Sequence, residues 1–211
     1  MQEKALDIEK KLEELDENHM SEELKGKRGF LPDFNLKAST PQKIYDIHSI
    51  ISLDEWNALS IKYALKIIKN EASPSRELKF YTDFVYEKLV KFNEIFEKKP
   101  KGKNINVMFK LKVLLYLDFL LKVYKNRSYH KPVEVVARDL NVKPIFLQNI
   151  LNKFYQMTPV QNLENNGFKY HRVNDDKMIC YIIVLCLFFF DFQMEARGLS
   201  QYLKVDAKRS F

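Results

Sequence analysis

Glycine is scarce in this chain. Only five of its 211 residues are Gly, and none falls in either common spacing of a phosphate-cradling loop, so nucleotide-binding folds built on such loops are excluded. Cysteine is rarer still. Cys180 and Cys186 lie within one apolar stretch, six apart and on different helical faces, which predicts two buried thiols and no disulfide framework. The four histidines, His19, His48, His130 and His171, are scattered and form no Cys/His cluster of zinc-finger spacing. No serine–histidine arrangement has nucleophile-elbow spacing. Asp175 and Asp176 are adjacent, so they point in different directions and suit a helix cap better than an acid–base pair. The reading is therefore of a non-enzyme, with no cofactor, no metal and no small-molecule substrate.

A long membrane-spanning run is also missing. Met178 to Phe190 is apolar without interruption, but a spanning helix needs about 20 such residues. Asp175, Asp176 and Lys177 bound it on one side and Asp191 on the other. A buried core helix is predicted there, with no membrane partner. No apolar run follows the N-terminal charges, so no signal peptide is expected and a reducing, intracellular setting is.

What the chain has in excess is positive charge, unevenly placed. Residues 1–25 hold nine acids and four lysines, whereas residues 26–211 hold 31 basic and 19 acidic residues. A folded body with that surplus favours a polyanionic partner. The alternative is a solvated basic surface with no specific use.

Periodicity divides the chain. Residues 1–20 read as an acidic helix and 21–43 as a linker broken by Gly26, Gly29, Pro32 and Pro41. Residues 44–100 read as a helical lead-in. It has an extended entry at Ile44–Ile51, a Ser52/Glu55 capping box opening a helix to Ile68, and another helix from about Glu77 to Phe96. Residues 104–173 carry the most informative order. A long apolar helix runs to Tyr124, and a short one starts near Pro132. A third opens at Asn141–Pro144 with Leu147, Ile150, Leu151 and Phe154 on one face. The Asn165-Asn166-Gly167 tip and extended Phe168–Val173 follow. Three helices and a hairpin are the order of a helix-turn-helix with a wing. The alternative is a generic small helical domain with one hairpin. Residues 175–211 repeat its opening: a helix from Lys177 to Phe192, a short helix from Ala196 to Leu203, and the start of another. The fold class predicted is mainly α, a tandem winged helix whose second copy is incomplete.

The outward residues of the third helix, Gln148, Asn149, Asn152 and Lys153, can bond phosphates or base edges, with Lys143 at its start. The first helix ends in Lys122, Lys125 and Arg127, Lys131 follows it, and Lys169 and Arg172 lie on the wing. No arginine on the third helix can read guanine bidentately, so binding of double-stranded DNA with weak sequence preference is expected.

Four stretches carry a family resemblance: IYDIHSIISLDEW at 44–56, LKVLLYLDFLLKVYKNR at 111–127, NILNKF at 149–154 and DDKMICYIIVLCLFFFDFQME at 175–195. Together they resemble the tandem winged-helix region of the RNA polymerase I subunit family related to the beta subunit of transcription factor IIE. The resemblance covers about residues 42–211. It implies a non-catalytic subunit in the nucleus, in the nucleolus, that contacts RNA polymerase I core subunits. It also implies DNA binding near the cleft, in support of initiation and elongation on ribosomal RNA genes. Residues 1–41 do not resemble the family's N-terminal barrel. A pure protein-interaction module and a stand-alone winged-helix regulator are the competing readings.

Overall fold

Helix α6, Val107–Tyr124, is apolar nearly all the way round, and eleven of its eighteen residues are buried, which makes it the axis of the molecule. Asn106 starts it, its side-chain oxygen accepting from the Phe109 amide at 3.0 Å. The computed structural model describes residues 29–69, 71, 80–97, 106–160, 167–173, 175–193, 199 and 203. The acidic helix predicted at 1–20, the hairpin residues 161–166 and most of 194–211 lie outside them.

Around α6 the described elements follow in order. α1 is Ile47–Ile50, α2 Leu53–Ala58, α3 Lys62–Ile68, α4 Asp83–Val90 and α5 Phe92–Glu97. After α6 come β1 Ser128–Tyr129, α7 Val133–Asp139, α8 Pro144–Phe154, β2 Tyr155–Val160, β3 Gly167–Arg172 and α9 Asp175–Phe189. The described residues are thus mainly helical with one small antiparallel sheet in the order β1-β3-β2. One core cluster includes residues of the lead-in, of α6–α8 and of α9 together. Helix α9 makes the most extensive helix contact with α6. Its apolar run is a core element, with Met178, Ile182, Leu185, Cys186 and Phe189 fully buried. Among the described residues no helix is long and apolar enough to cross a membrane.

The lead-in departs from the sequence reading in three places. Ile44–Ile51 is not extended throughout. Asp46 caps a single helical turn by accepting from the His48 amide at 3.0 Å, and Ile47 and Ile50, three apart, enter the core. The capping box at Ser52 and Glu55 forms, but the helix it opens stops at Ala58 and restarts at Lys62. Leu59 is extended there and buried, so tertiary packing overrides helical continuity. Lysines from distant helices take the carbonyls at this break: Lys112 bonds Trp56 O at 2.7 Å and Lys143 bonds Ala58 O at 3.0 Å. The third departure is a break at Lys91, which separates α4 from α5. Cys180, expected buried, is half-exposed on α9, and both described thiols are free.

Charged groups are buried wherever the lead-in and α9 meet α6. Glu55 uses one oxygen in its own capping box and accepts from Tyr116 Oη of α6 with the other, at 3.2 Å. Asp118, fully buried in α6, accepts from the backbone and hydroxyl of Thr82 at 2.7 and 2.9 Å and pairs with Lys122 at 2.7 Å. Lys110 bonds Phe188 O at 2.5 Å and pairs with Asp191, just past the end of α9. Asp191 and Phe192 both have positive φ, 55° and 62°, which costs a non-glycine residue roughly 1–2 kcal/mol. The ion pair with Lys110 and the Phe192 N–H bond to Leu187 O at 2.7 Å hold this turn in place.

Burial pushes the Asp118 carboxyl above its usual value, against the opposing pull of Lys122 and Thr82. The stabilisation that goes with holding its proton is complete below the ordinary carboxylate range and is lost as pH rises through the folded value. Asp118→Ala removes the counter-ion of Lys122 and the acceptor of both Thr82 donors and should cost about 3–5 kcal/mol in denaturant unfolding, whereas Asp118→Asn, which keeps an acceptor for Thr82, should cost less. Along α9, Ile182→Ala and Leu185→Ala should each cost about 2–5 kcal/mol. Ile183→Ala, on the half-buried side, should cost clearly less in the same measurement.

Candidate nucleic-acid interface

The outward face of α8 is set by how α7 turns into it. Asn141 takes positive φ, 52°, and the Val142 amide bonds back to Ala137 O at 2.8 Å, which ends α7 sharply. Val142 is buried, Lys143 is extended at the N-cap, and Pro144 takes the first helical position, where its missing N–H is no loss. Phe146, Leu147, Ile150, Leu151 and Phe154 then face the core. Gln148, Asn149 and Asn152 are left on the other side, with Gln148 Nε2 donating to Asn152 Oδ1 at 2.8 Å. That bond joins positions four apart and holds both amides ready on the outer face.

The hairpin continues directly from α8. Its register pairs Gln156 with His171 and Thr158 with Lys169, and Ser128 of β1 extends the row beside His171. These polar residues share one face of the sheet, because cross-strand partners point the same way. The opposite face carries Tyr129, Tyr155 and Tyr170, all buried.

The sheet is tied to α6 through the carbonyls that end that helix. Tyr129 Oη and Tyr155 Oη each reach Val123 O at 3.1 Å, and Tyr155 Oη also reaches Asn126 O at 2.6 Å. Burial raises the Tyr155 hydroxyl's pKa, so it remains a donor. Arg172 completes the joint. Its guanidinium is almost wholly buried and donates to Tyr124 O at 2.7 Å and Asp175 Oδ1 at 2.6 Å. It also lies 4.7 Å from the centre of the Tyr124 ring.

The eleven residues predicted to meet DNA therefore divide. Lys125, Arg127, Lys131, Lys143 and Asn152 are exposed, and Gln148, Asn149 and Lys169 are half-buried. Arg127 pairs with Asp175 at 2.8 Å while remaining 75% exposed, and Lys131 pairs with Asp139 at 3.0 Å in solvent. Exposed pairs of this kind are weak and can be exchanged for phosphate. Lys122, Lys153 and Arg172 point inward instead. Lys122 pairs with Asp118 and bonds Phe80 O at 2.6 Å. Lys153 bonds Ile50 O at 3.0 Å at the end of α1 and lies over the Tyr181 ring. Burial depresses the Lys153 pKa. A basic residue's number along a helix fixes its face but not where a long flexible stem delivers its charge.

Sequence reasoning also passed over cations outside residues 104–173. Lys62 and Lys66 of α3 and Lys69 at its C-cap are exposed and spaced four and three apart; within 104–173 it also passed over Arg138, exposed on α7. The spacing was visible, but the lead-in carried no motif that drew attention to it. Among the described residues no group of three His, Cys, Asp or Glu side chains could hold a metal ion.

A sequence model for a family described as A49-like RNA polymerase I associated factor matches residues 1–210. The DNA-directed RNA polymerase I subunit RPA49 of Saccharomyces cerevisiae is 27% identical over 176 residues, which cover 82% of this chain and 40% of the relative. The corresponding subunit rpa49 of Schizosaccharomyces pombe is 23% identical over 185 residues, covering 85% of this chain and 40% of its own length. The chain thus spans 40% of the length of the curated relatives it matches.

Truncating Arg172 removes the group that joins α6, β3 and α9, and leaves Asp175 and Tyr124 O without it. Arg172→Met should lower unfolding stability by about 3–5 kcal/mol. Lys125→Ala and Lys131→Ala should each stay within about 0.5 kcal/mol of the parent. Burial pushes the Cys186 thiol up to about 12, so at neutral pH it should resist an aromatic disulfide reagent until the protein is unfolded.

Proposed function

The chain belongs to the A49-like RNA polymerase I associated factor family, and from that premise we propose that it is a non-catalytic subunit of RNA polymerase I. It binds double-stranded DNA with little sequence preference and supports initiation and elongation of ribosomal RNA transcription. It works in the nucleus, in the nucleolus, and contacts the polymerase core subunits. In this reading residues 104–173 are a winged helix of the kind related to transcription factor IIE beta, and residues 175–211 open a second one. The order α6, β1, α7, α8, β2, β3, with β3 between its two neighbours, supports that assignment.

The observation that carries DNA binding is the outer face of α8. It holds an ordered amide pair, Gln148 and Asn152, with Lys143 exposed at the helix start and no arginine. Amides and lysines suit phosphates and undemanding base contacts, and the absence of a bidentate guanine reader argues against a stand-alone regulator of specific promoters. Lys125, Arg127, Lys131, Asn149 and Lys169 would add backbone contacts. Lys122, Lys153 and Arg172 would position this surface without touching DNA. Their internal roles also favour a second reading, in which the remaining basic surface docks on acidic protein.

With so few phosphate contacts the isolated chain should bind duplex DNA weakly, on the order of 10⁻⁴–10⁻⁶ M at physiological salt. Held on a polymerase that already carries DNA, it would need neither high affinity nor sequence reading. Charge reversal at Lys125, Lys143 and Lys169 should weaken binding to all duplexes alike. Each lost contact should flatten the log–log salt dependence by roughly 0.9. A strong preference for one duplex sequence, lost in Asn152→Ala, would sink the reading. Pull-down of the tagged full chain from nuclear extract after nuclease treatment should recover the large polymerase I subunits. Recovery of none of them would refute the assignment.

A further inference from the structure

A second surface lies beside the start of α8. An open groove of about 470 Å³ runs between the α2–α3 break and the α7–α8 turn, floored by α6. Its lining is largely apolar, from Leu59, Leu115, Phe119 and Phe146, with Tyr63 and Phe80 standing 52% and 38% exposed at its edge. Lys122 fixes this edge by bonding Phe80 O at 2.6 Å. Among the described residues that line the groove the one carboxylate, Asp118, is fully buried and paired with Lys122, so it presents no negative charge. Arg138 and Lys143 line the α7–α8 side. On α3 and at its C-cap, Lys62, Lys66 and Lys69 continue the positive charge from Tyr63.

An apolar floor with cations on its α7–α8 side and beside its α3 edge asks for a ligand that is apolar in the middle and acidic at its flanks. We propose that this groove docks an acidic segment of a partner protein, carrying an apolar or aromatic anchor between its carboxylates. The anchor would fill the floor and supply most of the affinity, while the five cations would select the sign of charge and speed the encounter. A single nucleic-acid strand fits less well. It needs flat aromatic faces for its bases, whereas the Tyr63 ring has the Lys66 ammonium 5.6 Å from its centre and meets Phe80 at 41°. This proposal does not depend on the DNA reading, which uses the outer face of α8; the two surfaces share only Lys143 at their border, and the groove variants below leave it in place.

The test uses the full chain and a labelled peptide in which a Phe-Leu pair is flanked by Asp and Glu. Fluorescence anisotropy should show saturable binding, weakened about tenfold or more by the double variant Lys66→Glu, Arg138→Glu. Tyr63→Ser, at an exposed position, should weaken it several-fold while thermal melts match the parent. A peptide with Lys in place of the acids should not bind. In a second measurement, a photo-crosslinking benzoylphenylalanine replaces Tyr63 in the chain assembled in nuclear extract, and the crosslinked site is sequenced. An acid-rich protein segment with an apolar centre is the expected product. Crosslinking to nucleic acid, to a basic segment, or to residues 1–25 of this same chain would overturn the proposal. So would equal binding of the acidic and basic peptides, or binding of the acidic peptide that the groove variants leave unchanged.

Discussion

Helix α6 carries too many apolar side chains to stand in water, and its neighbours are arranged to cover most of it. The lead-in helices, α7 and α8, the inner face of the sheet, and α9 are all partners of one buried axis. Each of these elements is short or marginal alone. A six-residue helix or a two-residue strand has little independent stability, and most of what holds it comes from packing. The geometry of the outer face of α8 is therefore inherited from α6, through Phe146, Leu147 and Ile150.

Apolar burial does not by itself fix how these pieces are registered along the axis. That task falls to a few charged and polar groups placed where helices end. Asp118 meets the start of α4 through Thr82, Glu55 joins the start of α2 to Tyr116, Lys110 holds the end of α9, and Arg172 closes the far end of α6. Each supplies hydrogen bonds to helix-end groups that would otherwise be buried and unpaired, so sliding an element by one turn would strand a charge. Lys112 and Lys143 do the same at the break after α2 from positions near the surface.

This division of labour explains which features were legible in the sequence. The faces of α8, the buried character of α9 and the Ser52/Glu55 cap follow from periodicity and local chemistry, and the structure has them. The direction of individual cations does not follow. Lys143 and Lys153 look alike in sequence. The first stays exposed while bonding the end of α2, and the second is drawn in by the carbonyls that end α1, about a hundred residues earlier. Arg172 reads as a wing cation until Tyr124 O and Asp175 are brought beside it. The break at Leu59–Ile61 was equally hidden, since nothing local in that segment forbids a helix. In each case the deciding partner is distant in the chain.

An axis enclosed on most of its sides also governs how the molecule comes apart. The backbone amides around Leu114, Leu117 and Leu120 lie in the innermost layer, behind side chains from both the lead-in and α9. Solvent can reach them only after one of those layers has lifted. Their exchange with heavy water should accordingly track the opening of the whole protein, while amides on the exposed faces of α3 and α7 exchange through small local openings. A body built this way transmits load from the sheet to the lead-in with little give between them, so it behaves as a stiff bracket and not as beads on a flexible tether.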